Sequence, residues 1–78
     1  MKQFNRITFD SNIMGGRACI RGMRITVSLV LNLISNGMSA AQITEEYTYL
    51  EEEDVRQCLQ YAACLAEEQV QPLEFLPA

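Results

Sequence analysis

Apolar and polar positions change their period along this chain, and each change predicts an element. Ile7-Thr8-Phe9 and Ile25-Thr26-Val27 have the β-branched and aromatic content of short strands, separated by Asp10-Ser11-Asn12 and a glycine-rich stretch. From Ser28 the period is helical: Val27, Val30, Leu31 and Ile34 share one face, and Asn36-Gly37 forms a carboxy-terminal stop. Leu29 and Leu33 fall on roughly the opposite side, so this helix is apolar on two faces and needs a second neighbour, either the β element or another subunit. Ser39-Ala40-Ala41-Gln42 matches a capping box and predicts a second helix to about Tyr47, with Ile43 and Tyr47 inward, helped by Met38. The longest helix is expected from about Glu51 to Gln69, with Val55, Cys58, Leu59, Ala62, Ala66 and Val70 on one stripe. Cys58 is then a core residue, and Cys64 projects away as an exposed thiol or part of an interface. Pro72 ends the helical region. The expectation is a mainly α fold, in which a short β-hairpin-like segment precedes three helices in one domain over residues 1–71.

Residues 72–78 form an apolar tail. Leu73, Phe75 and Leu76 mark it as a segment that docks on a partner protein or folds back on the long helix.

Size sharpens the argument for a second subunit. A chain of 78 residues builds one core that supplies only a few kcal/mol, so a homodimer or larger assembly through Leu29 and Leu33 is expected. An apolar content of 49% excludes a disordered chain. No apolar run approaches the ~18 residues of a membrane span, and Met1-Lys2-Gln3-Phe4-Asn5 lacks a signal-peptide apolar region, which predicts a cytoplasmic protein away from membranes. Three cysteines without a CxxC pair, and no histidine, support neither a metal site nor a disulfide scaffold. Without histidine a cysteine or serine nucleophile lacks its usual base. The expectation is no cofactor and no enzyme activity.

Charge divides the chain. The net charge is −4, yet Lys2, Arg6, Arg17, Arg21 and Arg24 lie in the first third against Asp10 alone, and nine carboxylates follow from Glu45 onward against Arg56. Arg17, Arg21 and Arg24 are interleaved with Gly15, Gly16 and Gly22, a shaped basic segment that is either a phosphate-binding surface or a tight hairpin with solvated arginines.

Ile7, Asp10, Met14-Gly15-Gly16, Cys19-Ile20-Arg21-Gly22, Arg24-Ile25-Val27, Gly37-Met38-Ser39, Ile43, Tyr47, Leu50 and Glu53-Asp54-Val55 together resemble the bacterial family known as domain of unknown function 433, over about residues 7 to 63. The resemblance implies a homeodomain-like helix-turn-helix after a short β segment, and an antitoxin role in a type II toxin–antitoxin pair whose toxin is a PIN-like nuclease. The chain departs from the family pattern at Ser11 and Ala18, where prolines are usual, at Met23 in place of threonine, and at Glu51 in place of the threonine cap of the long helix. Asp54 still stands where it can reach back to the cap.

A DNA-binding helix-turn-helix directs the amino end of its second helix at the bases. Here that end is Glu51-Glu52-Glu53-Asp54, which suits the helix dipole and repels phosphate. Any DNA contact is therefore expected at Arg17, Arg21 and Arg24, doubled by a dimer. Two readings follow: an antitoxin that binds a toxin and operator DNA, or a protein-interaction module on the same fold that touches no nucleic acid.

Overall fold

Local sequence signals set the helix ends in the computed structural model, which describes residues 4–69. Helix α1 (Val27–Ser35) starts where the Thr26 hydroxyl accepts the Leu29 N–H at 3.0 Å. It stops at Gly37, whose φ of 98° lets the Gly37 N–H reach the Ile34 carbonyl at 2.9 Å and the Met38 N–H reach Leu33 at 3.1 Å, the paired bonds of a Schellman motif. Helix α2 (Ala40–Glu46) opens on the expected capping box: Ser39 Oγ accepts the Gln42 N–H at 3.1 Å, and Gln42 Oε1 accepts the Ser39 N–H at 2.8 Å. Helix α3 (Glu52–Gln69) follows a short turn through Leu50. Mainly α with an amino-terminal hairpin is thus the architecture.

The hairpin differs from the expected pairing. Strand β1 (Ile7–Thr8) pairs antiparallel with β2 (Cys19–Ile20), Ile7 opposite Ile20 and Thr8 opposite Cys19. Ile25-Thr26-Val27 is not a strand, although the Ile20 N–H donates to the Ile25 carbonyl at 3.1 Å and Thr26 bridges Cys19 on the other edge of β2. The reason is the cap: Thr26 is already committed to α1, and Val27 is its first helical residue. Between β2 and Ile25 the chain reverses at Arg21-Gly22, with φ of 49° and 72°, and the Met23 N–H closes on the Ile20 carbonyl at 2.9 Å. Two successive positive φ values are what a tight I′-type hairpin turn demands, and glycine adopts the second without strain.

The core gathers Ile7, Ile20 and Ile25 from the hairpin region, Val27 and Val30 from α1, Ile43 from α2, Leu50, and Val55 and Cys58 from α3. Two sequence-based assignments shift. Leu33 packs against this core while Leu29 stays on the surface, because Leu33 follows Val30 by three positions and shares its flank. On α3 the inward stripe is Asp54, Val55 and Cys58, with Tyr61 and Ala62 half-buried; Leu59 is 45% exposed and Ala66 is exposed. The helix is turned so that Asp54, not Leu59, faces in. Cys64 is half-buried. Val70 and the tail with Leu73, Phe75 and Leu76 lie outside the described residues.

Candidate functional site

Asp54 organises the polar side of the molecule. Its side chain is fully buried, and it accepts Arg21 Nε at 3.0 Å, Arg21 Nη2 at 2.7 Å, Arg6 Nη1 at 3.0 Å and the Glu51 backbone N–H at 2.8 Å. The last of these is the reach back to the helix cap that the sequence anticipates. Arg21 also donates to the Tyr49 carbonyl at 2.8 Å, and Arg6 to Glu51 at 2.6 Å. The Arg6 backbone N–H donates to Gln57 at 3.0 Å, and Gln57 in turn donates to Asn5 at 2.7 Å. One carboxylate on α3 therefore fastens β1 and the hairpin turn at once. Burial pushes Asp54 toward protonation, but hydrogen bonds from Arg21, the Glu51 N–H and Arg6 outweigh it and hold its carboxyl below the usual carboxylate range.

This clamp separates the three arginines of the glycine-rich segment. Arg21 is spent on Asp54 and Tyr49, and its left-handed backbone is what aims it there. Arg17 and Arg24 are exposed, and neither forms an ion pair among the described residues. They also border different depressions: Arg17 stands at one between α1 and α3, and Arg24 at a shallow hollow with Met23, Ile25 and Tyr49. Neither Arg6 nor Asp54 was singled out from sequence as a site residue. The only signal was the position of Asp54 as third residue of a helix with a poor cap.

The acidic start of α3 is milder than its sequence suggests. Arg6 meets Glu51, Arg6 and Arg21 meet Asp54, and Arg56 grips Glu53 through two bonds of 2.9 Å. That grip, with a bond from Gln57, holds the Glu53 carboxyl below its ordinary range. Glu52 alone of the four lacks an ion-pair partner among the described residues. Beyond it the outward face of α3 runs through Arg56, Leu59 and Ala63, all exposed. Leu59 borders a depression of about 380 Å³ shared with Ala40 of α2, Glu52 and Arg56.

On the other flank of α3 an open apolar groove of about 740 Å³ separates it from α1, walled by Val27 and Leu31 on one side and Tyr61, Ala62 and Leu65 on the other. Arg17 stands at its lip. Tyr61 is braced by Phe4, edge-on with ring centroids 5.6 Å apart, and by Phe9 at 6.2 Å. Phe9 itself is 61% exposed.

Burial pushes the Cys58 thiol up to about 12, so it stays protonated and unreactive at neutral pH. Among the described residues no group of three or more Cys, Asp or Glu gathers to hold a metal ion, and no helix is long and apolar enough to cross a membrane.

The described residues form a small domain of three helices behind an amino-terminal hairpin. The chain belongs to the family described as protein of unknown function (DUF433), whose model matches residues 7–62. No curated protein and no solved structure matches the chain significantly.

Proposed function

We propose that this chain is a non-catalytic protein-binding module that uses the outward face of α3 to hold a partner. One observation carries the reading. On the face that a helix-turn-helix would turn toward bases, the one arginine is already gripped by Glu53 and its neighbour Leu59 is 45% exposed. An exposed apolar residue beside a paired arginine and the carboxylate of Glu52, unpaired among the described residues, suits a protein interface and has nothing to offer phosphate. The partner class in this reading is the one that the family resemblance implies, a PIN-like nuclease toxin, with the module as its antitoxin.

Co-expression with a PIN-like nuclease encoded beside the gene tests this. The two proteins are expected to purify together, and Leu59→Arg is expected to weaken the complex about ten- to a hundredfold, since it removes the burial of one large apolar side chain and adds a charge. Retained affinity in that variant overturns the assignment of the surface.

A second reading, operator DNA bound by a homodimer, has its support in Arg17 and Arg24, both exposed and outside any ion pair among the described residues. Leu29 remains the exposed residue of the expected dimer face. A complex with DNA at low salt that weakens steeply as salt rises, and is lost in Arg17→Ala/Arg24→Ala, would establish it. Light scattering at micromolar concentration reports the assembly state.

A further inference from the structure

We propose that the apolar groove between α1 and α3 is the receptor for this chain's own carboxy-terminal segment, with Leu73 and Phe75 seated between Leu31 and the wall of Tyr61, Ala62 and Leu65. The inference goes beyond partner binding by α3: the groove and the Leu59 face lie on different flanks of that helix, so either fails without the other.

Reach supports the assignment. At 1.5 Å per residue, Gln69 lies about 6 Å beyond Leu65 and about 12 Å beyond Tyr61 along α3. Residues 70–72 are available for a reversal, and Pro72 cannot continue a helix. Leu73 to Leu76, extended at about 3.3 Å per residue, then span roughly 13 Å and run back along that same wall.

Chemistry supports it as well. The groove lining carries one cation, Arg17, and no carboxylate, whereas residues 70–78 carry one acid, Glu74, and no cation. In an extended segment Leu73 and Phe75 turn to one side and Glu74 to the other. With the two apolar residues in the groove, Glu74 turns to its rim, where Arg17 is the one cation of the described lining. Burying Leu31, Tyr61 and Leu65 under the segment would also remove the apolar opening that the described residues leave.

The test uses the full chain and amide NMR spectra. Leu73→Ser/Phe75→Ser is expected to shift the amides of Leu31, Ala62 and Leu65, by an amount independent of protein concentration. Added peptide with the sequence of residues 69–78 is expected to reverse those shifts saturably in the double variant. Arg17→Glu should weaken that peptide about two- to fivefold, the scale of one exposed ion pair, and a peptide with Glu74→Arg should recover the loss. Unchanged groove amides in the double variant overturn the proposal. So does a concentration-dependent difference between the wild-type chain and the variant, which would assign the segment to the groove of a second copy.

Discussion

The two ends of α3 are finished in opposite ways. At its start, Asp54 is enclosed by four hydrogen bonds from two arginines and a backbone N–H, and no buried side-chain nitrogen or oxygen among the described residues lacks a partner. Farther along, Tyr61 and Leu65 border an open apolar groove, and Leu65 is 38% exposed. Buried polar contacts are directional and fix one geometry, whereas apolar surface accepts any well-shaped cover. The contrast teaches that this small chain closes its polar contacts around Asp54 and leaves an apolar groove open beside the same helix among the described residues.

The largest expected effect falls on the clamp. Asp54→Ala leaves Arg6 and Arg21 side by side without their shared counter-ion, and a loss of about 3 kcal/mol is expected in urea unfolding. Leu65→Ser, at the other end of the contrast, should change stability by less than about 0.5 kcal/mol in a chain whose tail already carries Leu73→Ser/Phe75→Ser. Equal losses would erase the distinction between the two ends.

Acid should dissolve the clamp without a mutation. Because the folded chain holds the Asp54 carboxyl below its unfolded value of about 3.9, the stabilisation is fully present above that pH and is lost as pH falls through the folded value. Glu53 adds to the effect with the same sign. Thermal melts from pH 5 to pH 2 at fixed ionic strength should show the decline, and Asp54→Asn should flatten it. A variant as acid-sensitive as the parent would place the titrating group elsewhere.

Smaller effects sharpen the comparison. Gly22→Ala forces a side chain to adopt a φ of 72° and should cost about 1 kcal/mol, although a Cβ there meets no neighbouring atom within 4 Å. Leu33→Ser should cost about as much, since Leu33 packs on the core, while Leu29→Ser should stay within about 0.5 kcal/mol in the monomer and act only on assembly. If the two leucines respond alike, the flanks of α1 have been assigned wrongly.

The helices were legible because their signals are local. The capping box at Ser39 and the stop at Asn36-Gly37 each rest on residues within a few positions of one another, and both ends appear where those residues put them. The second strand was misplaced because β-branched content favours Ile25-Thr26-Val27 over Cys19-Ile20, and the commitment of the Thr26 hydroxyl to Leu29 overrides that preference. The sequence shows the reach of Asp54 back to the helix cap but not its two arginines, which lie 33 and 48 residues away, a distance no local pattern spans. For the same reason Arg21 looked like a free cation. Leu59 was drawn into the core stripe of α3 because an apolar residue four positions after Val55 fits helical spacing, and the buried Asp54 that turns the helix could not be seen.

The clamp also has a meaning in time. A nascent chain leaves the ribosome amino end first, so Arg6 and Arg21 emerge well before the carboxylate that will hold them. During that interval the I′-type turn at Arg21 carries a left-handed non-glycine residue, a conformation disfavoured by roughly 1–2 kcal/mol and offset only by the hairpin's own hydrogen bonds. The hairpin should therefore reach its full stability only when α3 arrives, making that helix the element that completes it. A stalled chain ending before residue 54 would display two uncommitted guanidinium groups to the ribosomal RNA around it, and a finished one would not.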